Sequence, residues 1–107
     1  MIRLRILQGT LDLTVLQILS SEALHGYATS QRVQDASEGR LLLEEGSLYP
    51  ALYRMEKKGW VSSEWQKSGN GRRARVYSLT VQGRQHLAAE KANWHGVSEV
   101  MERLLER

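Results

Sequence analysis

Histidine and glutamate recur four residues apart near the end of the chain, as His86 with Glu90 and His95 with Glu99. This is the spacing of two metal ligands on one face of a helix. The two histidines are nine residues apart, about 900° of helical rotation, so they lie on opposite helix faces and cannot share a metal within one chain. We therefore expect no metal site and no cofactor.

Groups that could perform catalysis do not form a recognisable active site either. The chain has no cysteine, which excludes thiolate nucleophiles, thiolate metal sites and disulfides. Ser47 lacks a G-x-S-x-G frame, and Gly69-Asn70-Gly71 lacks the rest of a nucleotide-binding loop. The sequence therefore predicts that the protein is not an enzyme.

The positive charge of the chain is concentrated in one segment. The formal net charge of all 107 residues is +3, but residues 54–75 alone carry seven lysines and arginines against two glutamates. Such a segment in an otherwise near-neutral protein favours a polyanionic partner. On charge alone, a solvated basic face explains the pattern equally well.

The length and hydropathy of the chain limit where this segment can act. The 107 residues, 41% of them hydrophobic, suffice for one core with an appended element. No apolar run approaches the roughly 20 residues that span a bilayer, and the N-terminus lacks the features of a signal peptide. We expect a cytoplasmic protein with no membrane partner.

Apolar spacing predicts four helices, with one β-hairpin before the last of them. The expected helices are Thr10–Ser20, Tyr27–Ala36, a third from Gly46 or Ser47 to about Lys58, and a long one from an N-cap at Thr80 to Leu105. Pro50 should fall in the first turn of the third helix, where its missing N–H has no helical acceptor. Leu41–Leu43 is expected to form an isolated strand or an extended lead-in.

The hairpin is predicted from two alternating runs around a glycine-rich turn. The runs are Trp60–Lys67 and Ala74–Leu79, with Val61, Ser63 and Trp65 on one side of the first run. Val76 and Leu79 are expected to point inward in the second run as far as the two-residue period allows.

This order of elements is that of a mainly α protein with a small β-hairpin, a winged helix-turn-helix followed by a long C-terminal helix. We expect a DNA-binding domain over residues 1–80 and a dimerisation helix over residues 81–107. In such folds the third helix enters a groove of DNA and the hairpin, or wing, touches the flanking backbone.

Candidate DNA-binding residues lie on the third helix and on the wing. An arginine can form two hydrogen bonds with guanine, and hydroxyl groups can donate to phosphate oxygens. Alternatively, the two tyrosines of the helix pack on the domain edge and the arginine-rich turn is merely solvated. The candidates are Ser47, Tyr49, Pro50, Tyr53, Arg54, Lys57, Arg72, Arg73 and Arg75.

The last helix carries an apolar seam and, at about 37 Å, is too long for one small domain to cover. The seam predicts a homodimer that places two recognition helices about 34–36 Å apart on a pseudo-palindromic operator in double-stranded DNA. Trp94 is interpreted as part of the dimer core in preference to a contact for a small planar effector. The seam consists of Leu87, Trp94, Val97, Met101 and Leu104.

Several sequence motifs resemble the PadR family of bacterial transcriptional regulators. They are Glu45-Gly46-Ser47-Leu48-Tyr49-Pro50-Ala51-Leu52-Tyr53-Arg54-Met55-Glu56, Gly59-Trp60, Tyr77-Ser78-Leu79-Thr80 with Gly83-Arg84, Leu13 to Leu19, and His25-Gly26-Tyr27. The resemblance implies a dimeric winged-helix regulator, in most members a repressor, of the shorter class with a single C-terminal helix.

The same resemblance implies roles for individual residues. Ser47, Tyr49, Pro50, Tyr53 and Arg54 match the DNA-reading helix of the family, and Arg72 and Arg73 match its wing. In multidrug-sensing relatives an aromatic residue at a place similar to Trp94 stacks on effectors, so the resemblance admits an effector pocket there. The alternative function is a winged-helix module that binds protein, without DNA, through the tyrosine-rich face of the third helix.

Overall fold

The structure is a computed structural model that describes residue 4, residues 9–67 and residues 69–106. These residues form four helices and a three-stranded antiparallel sheet. Residues 1–3 and 5–8 of the predicted domain 1–80, residue 107 of the predicted range 81–107 and residue 68 of the predicted turn lie outside the described residues. The elements are α1 (Thr10–Leu19), β1 (Leu24–His25), α2 (Gly26–Ala36), α3 (Glu45–Lys57), β2 (Val61–Lys67), β3 (Arg73–Leu79) and α4 (Val81–Leu105).

The core lies between α1, α3 and the base of the sheet. The apolar stripe predicted for α3 is confirmed, because Leu48, Leu52 and Met55 are fully buried. They pack with a row on α1 and with buried residues of β2, β3 and α4. The helix that presents the candidate DNA-binding residues is therefore held along its opposite side. The further core members are Val15, Leu16, Leu19, Ala51, Val61, Tyr77 and Leu87.

The sheet has the order β1-β3-β2, and its first strand was not predicted. The strand β1 has only two residues, too few for an alternating pattern, and pairs Leu24 with Tyr77 across to β3. Val76 and Leu79 were both expected to point inward, but they pair with Glu64 and Val61, which are three residues apart on β2, so they lie on opposite faces. Tyr77 is the buried residue of β3.

The predicted first-turn position of Pro50 is wrong. Helix α3 begins at Glu45, because the Glu44 carbonyl already accepts hydrogen bonds from the N–H groups of Ser47 and Leu48, both at 3.0 Å. Pro50 consequently lies inside the helix, past its first turn. Of the two alternatives predicted for residues 41–43, the strand is not observed, and the extended lead-in to α3 stays a prediction. Leu41 makes a single bridge to Leu4.

The prediction for the start of α4 is confirmed. Thr80 is the N-cap, and its Oγ1 accepts a hydrogen bond from the Gly83 N–H at 2.9 Å. The helix then runs for 25 residues, and the side chains of its second half are largely exposed. Within the described ranges, no helix combines the length and apolar character needed to cross a membrane.

Candidate nucleic-acid interface

The six residues predicted to contact DNA from α3 share its exposed face. All six side chains are exposed, whereas Leu48, Ala51, Leu52 and Met55 between them are buried in the core. This separation follows from the 3.6-residue helical period, since Leu48, Leu52 and Met55 occupy the other face. The structure therefore brings together Ser47, Tyr49, Pro50, Tyr53, Arg54 and Lys57 on one surface.

Tyr49 is positioned by α2. Its ring lies over Gly26, so closely that a Cβ at Gly26 would be 2.5 Å from Tyr49 Cε1. His25 caps the same end of α2, because its Nδ1 accepts a hydrogen bond from the Ala28 N–H at 3.3 Å. The His25-Gly26 pair thus starts α2 and leaves room for the ring. Tyr49 both packs on the domain and remains 44% exposed.

The next tyrosine on the same face is less enclosed. Tyr53 is 61% exposed, and the Lys57 ammonium lies 4.8 Å from its ring centroid, within cation–π range. The two side chains are one helical turn apart, which is the spacing at which helical neighbours meet. Together they present an aromatic ring and a positive charge to an approaching ligand.

Arg54 is paired across the fold. Its guanidinium forms an ion pair with Asp12 in the first turn of α1, and its side chain is 46% exposed. The pair ties the α3 surface to α1. A phosphate or a guanine at this position would have to compete with the carboxylate for the guanidinium.

Arg75 of the wing is paired with α3. Its Nε donates to Ser63 Oγ at 2.7 Å, and its Nη2 lies 3.4 Å from the two Glu56 carboxylate oxygens. Ser63 Oγ in turn donates to Glu56 Oε2 at 2.6 Å. This network connects α3 to the wing, and the sequence analysis did not single out Glu56 and Ser63 as part of the site.

The other two wing arginines lie at and beside the turn. Gly71 has a φ of 82°, a left-handed conformation that glycine adopts without strain. The backbone N–H of Arg72 donates to Asn70 Oδ1 at 3.1 Å. Arg73 lies against Trp65, with its guanidinium carbon 5.4 Å from the ring centroid.

The base of the wing is locked to the start of α4. Thr80 Oγ1 donates toward the carbonyls of Gly59 at 2.6 Å and Trp60 at 3.0 Å. A Cβ at Gly83 would lie 2.0 Å from the Trp60 carbonyl oxygen, so only glycine fits. The close contact at Gly83 and the φ of 81° at Gly59 account for the glycines of the Thr80–Gly83 and Gly59-Trp60 motifs.

His86 is in contact with Trp60 and Glu90. Its ring stacks on Trp60 with centroids 3.6 Å apart and planes 11° apart. Its Nε2 lies 3.5 Å from a Glu90 carboxylate oxygen. Among the residues with described positions, no three histidine, aspartate or glutamate side chains are grouped so as to hold a metal ion.

Four of the five residues predicted to form the dimer seam are exposed on α4. The exposed fractions are 40% for Trp94, 46% for Val97, 45% for Met101 and 55% for Leu104. Leu87 differs from them, because it is 7% exposed and belongs to the core of its own chain. The apolar seam that is open to a partner therefore begins at Trp94.

Two hollows flank Trp94. One, of about 350 Å³, lies between α1, the end of α2 and α4, with an apolar floor that includes Leu13, Ile18 and Val33. Lys91 and His95 lie at its α4 side. The second, of about 360 Å³, lies beside the start of α1. The indole is thus bordered by two spaces large enough for a small molecule.

The pKa of one tyrosine beneath the contact between α3 and the wing is shifted. Burial raises the pKa of Tyr77 above its usual 10.0, and the Glu56 carboxylate and Tyr49 act in the same direction, while Arg75 opposes them. A buried phenol is disfavoured as an anion because the apolar surroundings solvate charge poorly. The phenol of Tyr77 therefore resists ionisation at alkaline pH more strongly than an exposed tyrosine does.

These features define a winged-helix protein with an added C-terminal helix. Residues 15–89 match the transcriptional regulator PadR-like family, and the chain belongs to that family. The PadR family transcription regulator of Clostridium difficile R20291 is 33% identical over 91% of this chain and 99% of that one, with a TM-score of 0.79.

Two further relatives are similar over nearly the whole chain. The PadR family transcriptional regulator of Eggerthella lenta DSM 2243 is 32% identical over 92% of this chain and 84% of that one, with a TM-score of 0.81. An uncharacterized protein of Lysinibacillus sphaericus is 26% identical over 99% of this chain and 97% of its own. The suspected family and the winged-helix fold are confirmed, with the long C-terminal helix included.

Proposed function

We propose that this protein is a sequence-specific, double-stranded-DNA-binding regulator that acts as a homodimer and represses transcription. The observation that carries the proposal is the single exposed surface that α3 and the wing share. Hydroxyl groups, tyrosine rings and cations collect there, and Glu56 and Arg75 connect the two elements. Hydroxyl and cationic groups are the usual donors to phosphates and base edges.

The roles of the cations follow from their surroundings. Tyr49, Tyr53 and Arg54 lie on the exposed face of α3, and a helix that enters the major groove meets base edges with such a face. Arg72 and Arg73 lie at and beside the glycine-flanked turn, which suits phosphate contact better than base reading. We therefore assign base preference to the helix and general affinity to the wing.

The proposed dimer follows from the exposed seam of α4. Four large apolar side chains from Trp94 to Leu104 are 40–55% exposed, and such a contiguous patch marks an interaction site. A second copy can cover the seam by two-fold symmetry, which then pairs two recognition surfaces. The cognate site would be a pseudo-palindrome with half-sites about one helical turn apart.

We further propose that a small planar effector releases the protein from DNA. The two hollows beside Trp94 support it, since each has a volume in the range of small-ligand sites. They lie next to the proposed dimer seam, so a ligand there would bias how the two copies pack. Trp94 as a plain dimer contact is the competing assignment, because an indole on an apolar seam is usually packing.

The test is a footprint on DNA upstream of the protein's own gene, followed by titration of the protected duplex at several salt concentrations. A dimer that makes about 6–10 phosphate contacts should lose roughly 10³–10⁵ in affinity between 50 and 200 mM salt. Arg72→Ala with Arg73→Ala should flatten the slope for every sequence alike. Arg103→Ala is the matched control, because Arg103 pairs with Glu99 near the far end of α4.

The outcome also separates DNA binding from the alternative of a protein-binding module. A folded monomer that binds no duplex in 50 mM salt would contradict the proposal. Tight, salt-insensitive binding to a protein partner would favour the alternative, because a protein interface gains little from counterion release.

A further inference from the structure

The two faces of the wing differ in charge. In the register of β2 with β3, residues that pair across the strands lie on the same face. Every lysine and arginine of these two strands lies on the face that continues from the buried core, and their one carboxylate lies on the other. We call the first the basic wing face. It consists of Trp65, Lys67, Arg73 and Arg75.

The opposite face offers no comparable feature. It carries Glu64 and Gln66, whose side chains hydrogen-bond to each other at 2.9 Å, and small or half-buried residues on β3. The asymmetry is not required by packing, because the outer half of both faces is exposed. It indicates which side of the wing meets an anionic partner.

Trp65 is the unusual member of the basic wing face. Its side chain is 56% exposed, although an indole gains much from leaving water. The guanidinium carbons of Arg73 and Arg75 lie 5.4 and 5.8 Å from its ring centroid. A partner that covers this surface must be apolar where it meets the ring and anionic around it. The deoxyribose and phosphate groups of a DNA strand have both properties.

The two arginines beside the ring are not equivalent. Arg75 is held by Glu56 and Ser63, so its charge is largely compensated and it fixes the wing against α3. Arg73 makes no ion pair with any side chain in the described part of the chain. Of the two guanidinium groups beside the indole, that of Arg73 can therefore bind a phosphate without first giving up a carboxylate partner.

We propose that Trp65 is a DNA-contacting residue: its indole packs on a deoxyribose of the strand that flanks the groove read by α3, and the neighbouring Arg73 binds the adjoining phosphate. The inference rests on the proposed DNA binding and adds to it a contact that is apolar and independent of base sequence. An aromatic ring can supply such a contact with any nucleotide.

The test measures binding to a labelled mixed-sequence duplex of about four helical turns, or about 40 base pairs, over a range of salt. Trp65→Ala removes no charge, so it should lower affinity about three- to tenfold at every salt concentration and leave the salt slope unchanged. Arg73→Ala should reduce the slope by about one for each protomer. Gln66→Ala, on the opposite face of the same strand, is the matched control and should bind like wild type.

A second variant guards against loss of folding and gives an independent signal. Trp65→Phe keeps an apolar ring and should retain most of the affinity. The difference in acrylamide quenching between wild type and Trp65→Phe reports the exposure of this indole, and it should fall when the duplex is added.

The possible results separate this inference from the function beneath it. Unchanged affinity in Trp65→Ala, with an indole as open to quencher in the complex as before, would overturn the contact and leave DNA binding intact. A salt slope that falls in Trp65→Ala would also overturn it, because the ring would then act only by orienting the arginines. A folded wild-type protein that binds neither the mixed-sequence duplex nor the footprinted duplex would refute the proposed function itself.

Discussion

Replacing Gly26 by alanine should weaken DNA binding through Tyr49 while leaving the fold nearly as stable as before. An added Cβ would lie 2.5 Å from Tyr49 Cε1, 2.6 Å from the hydroxyl oxygen and 2.7 Å from Cζ. Carbon atoms in contact are about 3.5–4.0 Å apart, so the ring must move by about 1 Å. The ring is 44% exposed and can swing toward solvent, so the cost in stability should be about 1 kcal/mol.

The functional cost should be larger than the structural one. A hydroxyl displaced by about 1 Å no longer makes a well-aligned hydrogen bond to a phosphate or base edge. A hydrogen bond to a charged group contributes about 1.5–3 kcal/mol, which corresponds to about a tenfold to a hundredfold loss of affinity. Gly26 does not adopt a positive φ, so alanine is compatible with the local backbone and the effect can be assigned to Tyr49.

Fluorescence anisotropy with the footprinted duplex and urea denaturation measure the two effects separately. The decisive comparison is a double-mutant cycle with Tyr49→Ala, because two substitutions that act through one contact are not additive. Gly26→Ala should cost little further affinity once Tyr49 is absent. An equal loss in both backgrounds would refute the reasoning and show that Gly26 acts through the fold of α2.

Three further predictions follow from single contacts. Gly83→Ala should lower the free energy of unfolding by about 3 kcal/mol, because its Cβ would meet the Trp60 carbonyl. Gly96→Ala is the control in the same helix. Its Cβ would meet nothing within 4 Å, so it should raise the free energy of unfolding by about 0.5–1 kcal/mol. Because the pKa of Tyr77 is raised above 10.0, the unfolded chain ionises first, so stability measured by denaturation should fall as pH rises above 10 and Tyr77→Phe should lose this dependence. Trp94→Ala should shift sedimentation toward monomer if the indole is dimer core, and an unchanged dimer would place Trp94 in an effector pocket instead.

The predictions that the structure confirms depend on local signals. The period of Leu48, Leu52 and Met55 identified the buried side of α3, and Thr80 identified the start of α4. A helical period and a side-chain cap are determined by residues a few positions apart, so they can be read without knowing the fold. The hairpin was found in the same way from its alternation and its turn residues.

The remainder depends on contacts between residues that are distant in sequence. The strand β1 exists because β3 pairs with it, and two residues alone have no pattern to detect. Arg54 pairs with Asp12, 42 residues away, and Arg75 with Glu56, 19 residues away. Each of these arginines was predicted as a DNA contact from its charge and position, but a sequence pattern does not reveal which carboxylate lies beside it. The sequence assigned Trp65 to one face of a strand, but it did not predict that the guanidinium groups of Arg73 and Arg75 lie beside its ring.

These long-range pairs affect how the charge of the site should be counted. An arginine already paired with a carboxylate exchanges that partner for a phosphate on binding, so it contributes less attraction and less counterion release than an unpaired one. Arg54 and Arg75 are paired in this way, whereas Lys57 and Arg73 lie over aromatic rings. The salt slope of DNA binding should therefore be smaller than the seven cations of residues 54–75 suggest. Asp12→Asn should steepen it, because that substitution frees Arg54 while leaving every cation in place. A slope unchanged by Asp12→Asn would mean that the guanidinium of Arg54 does not face the DNA.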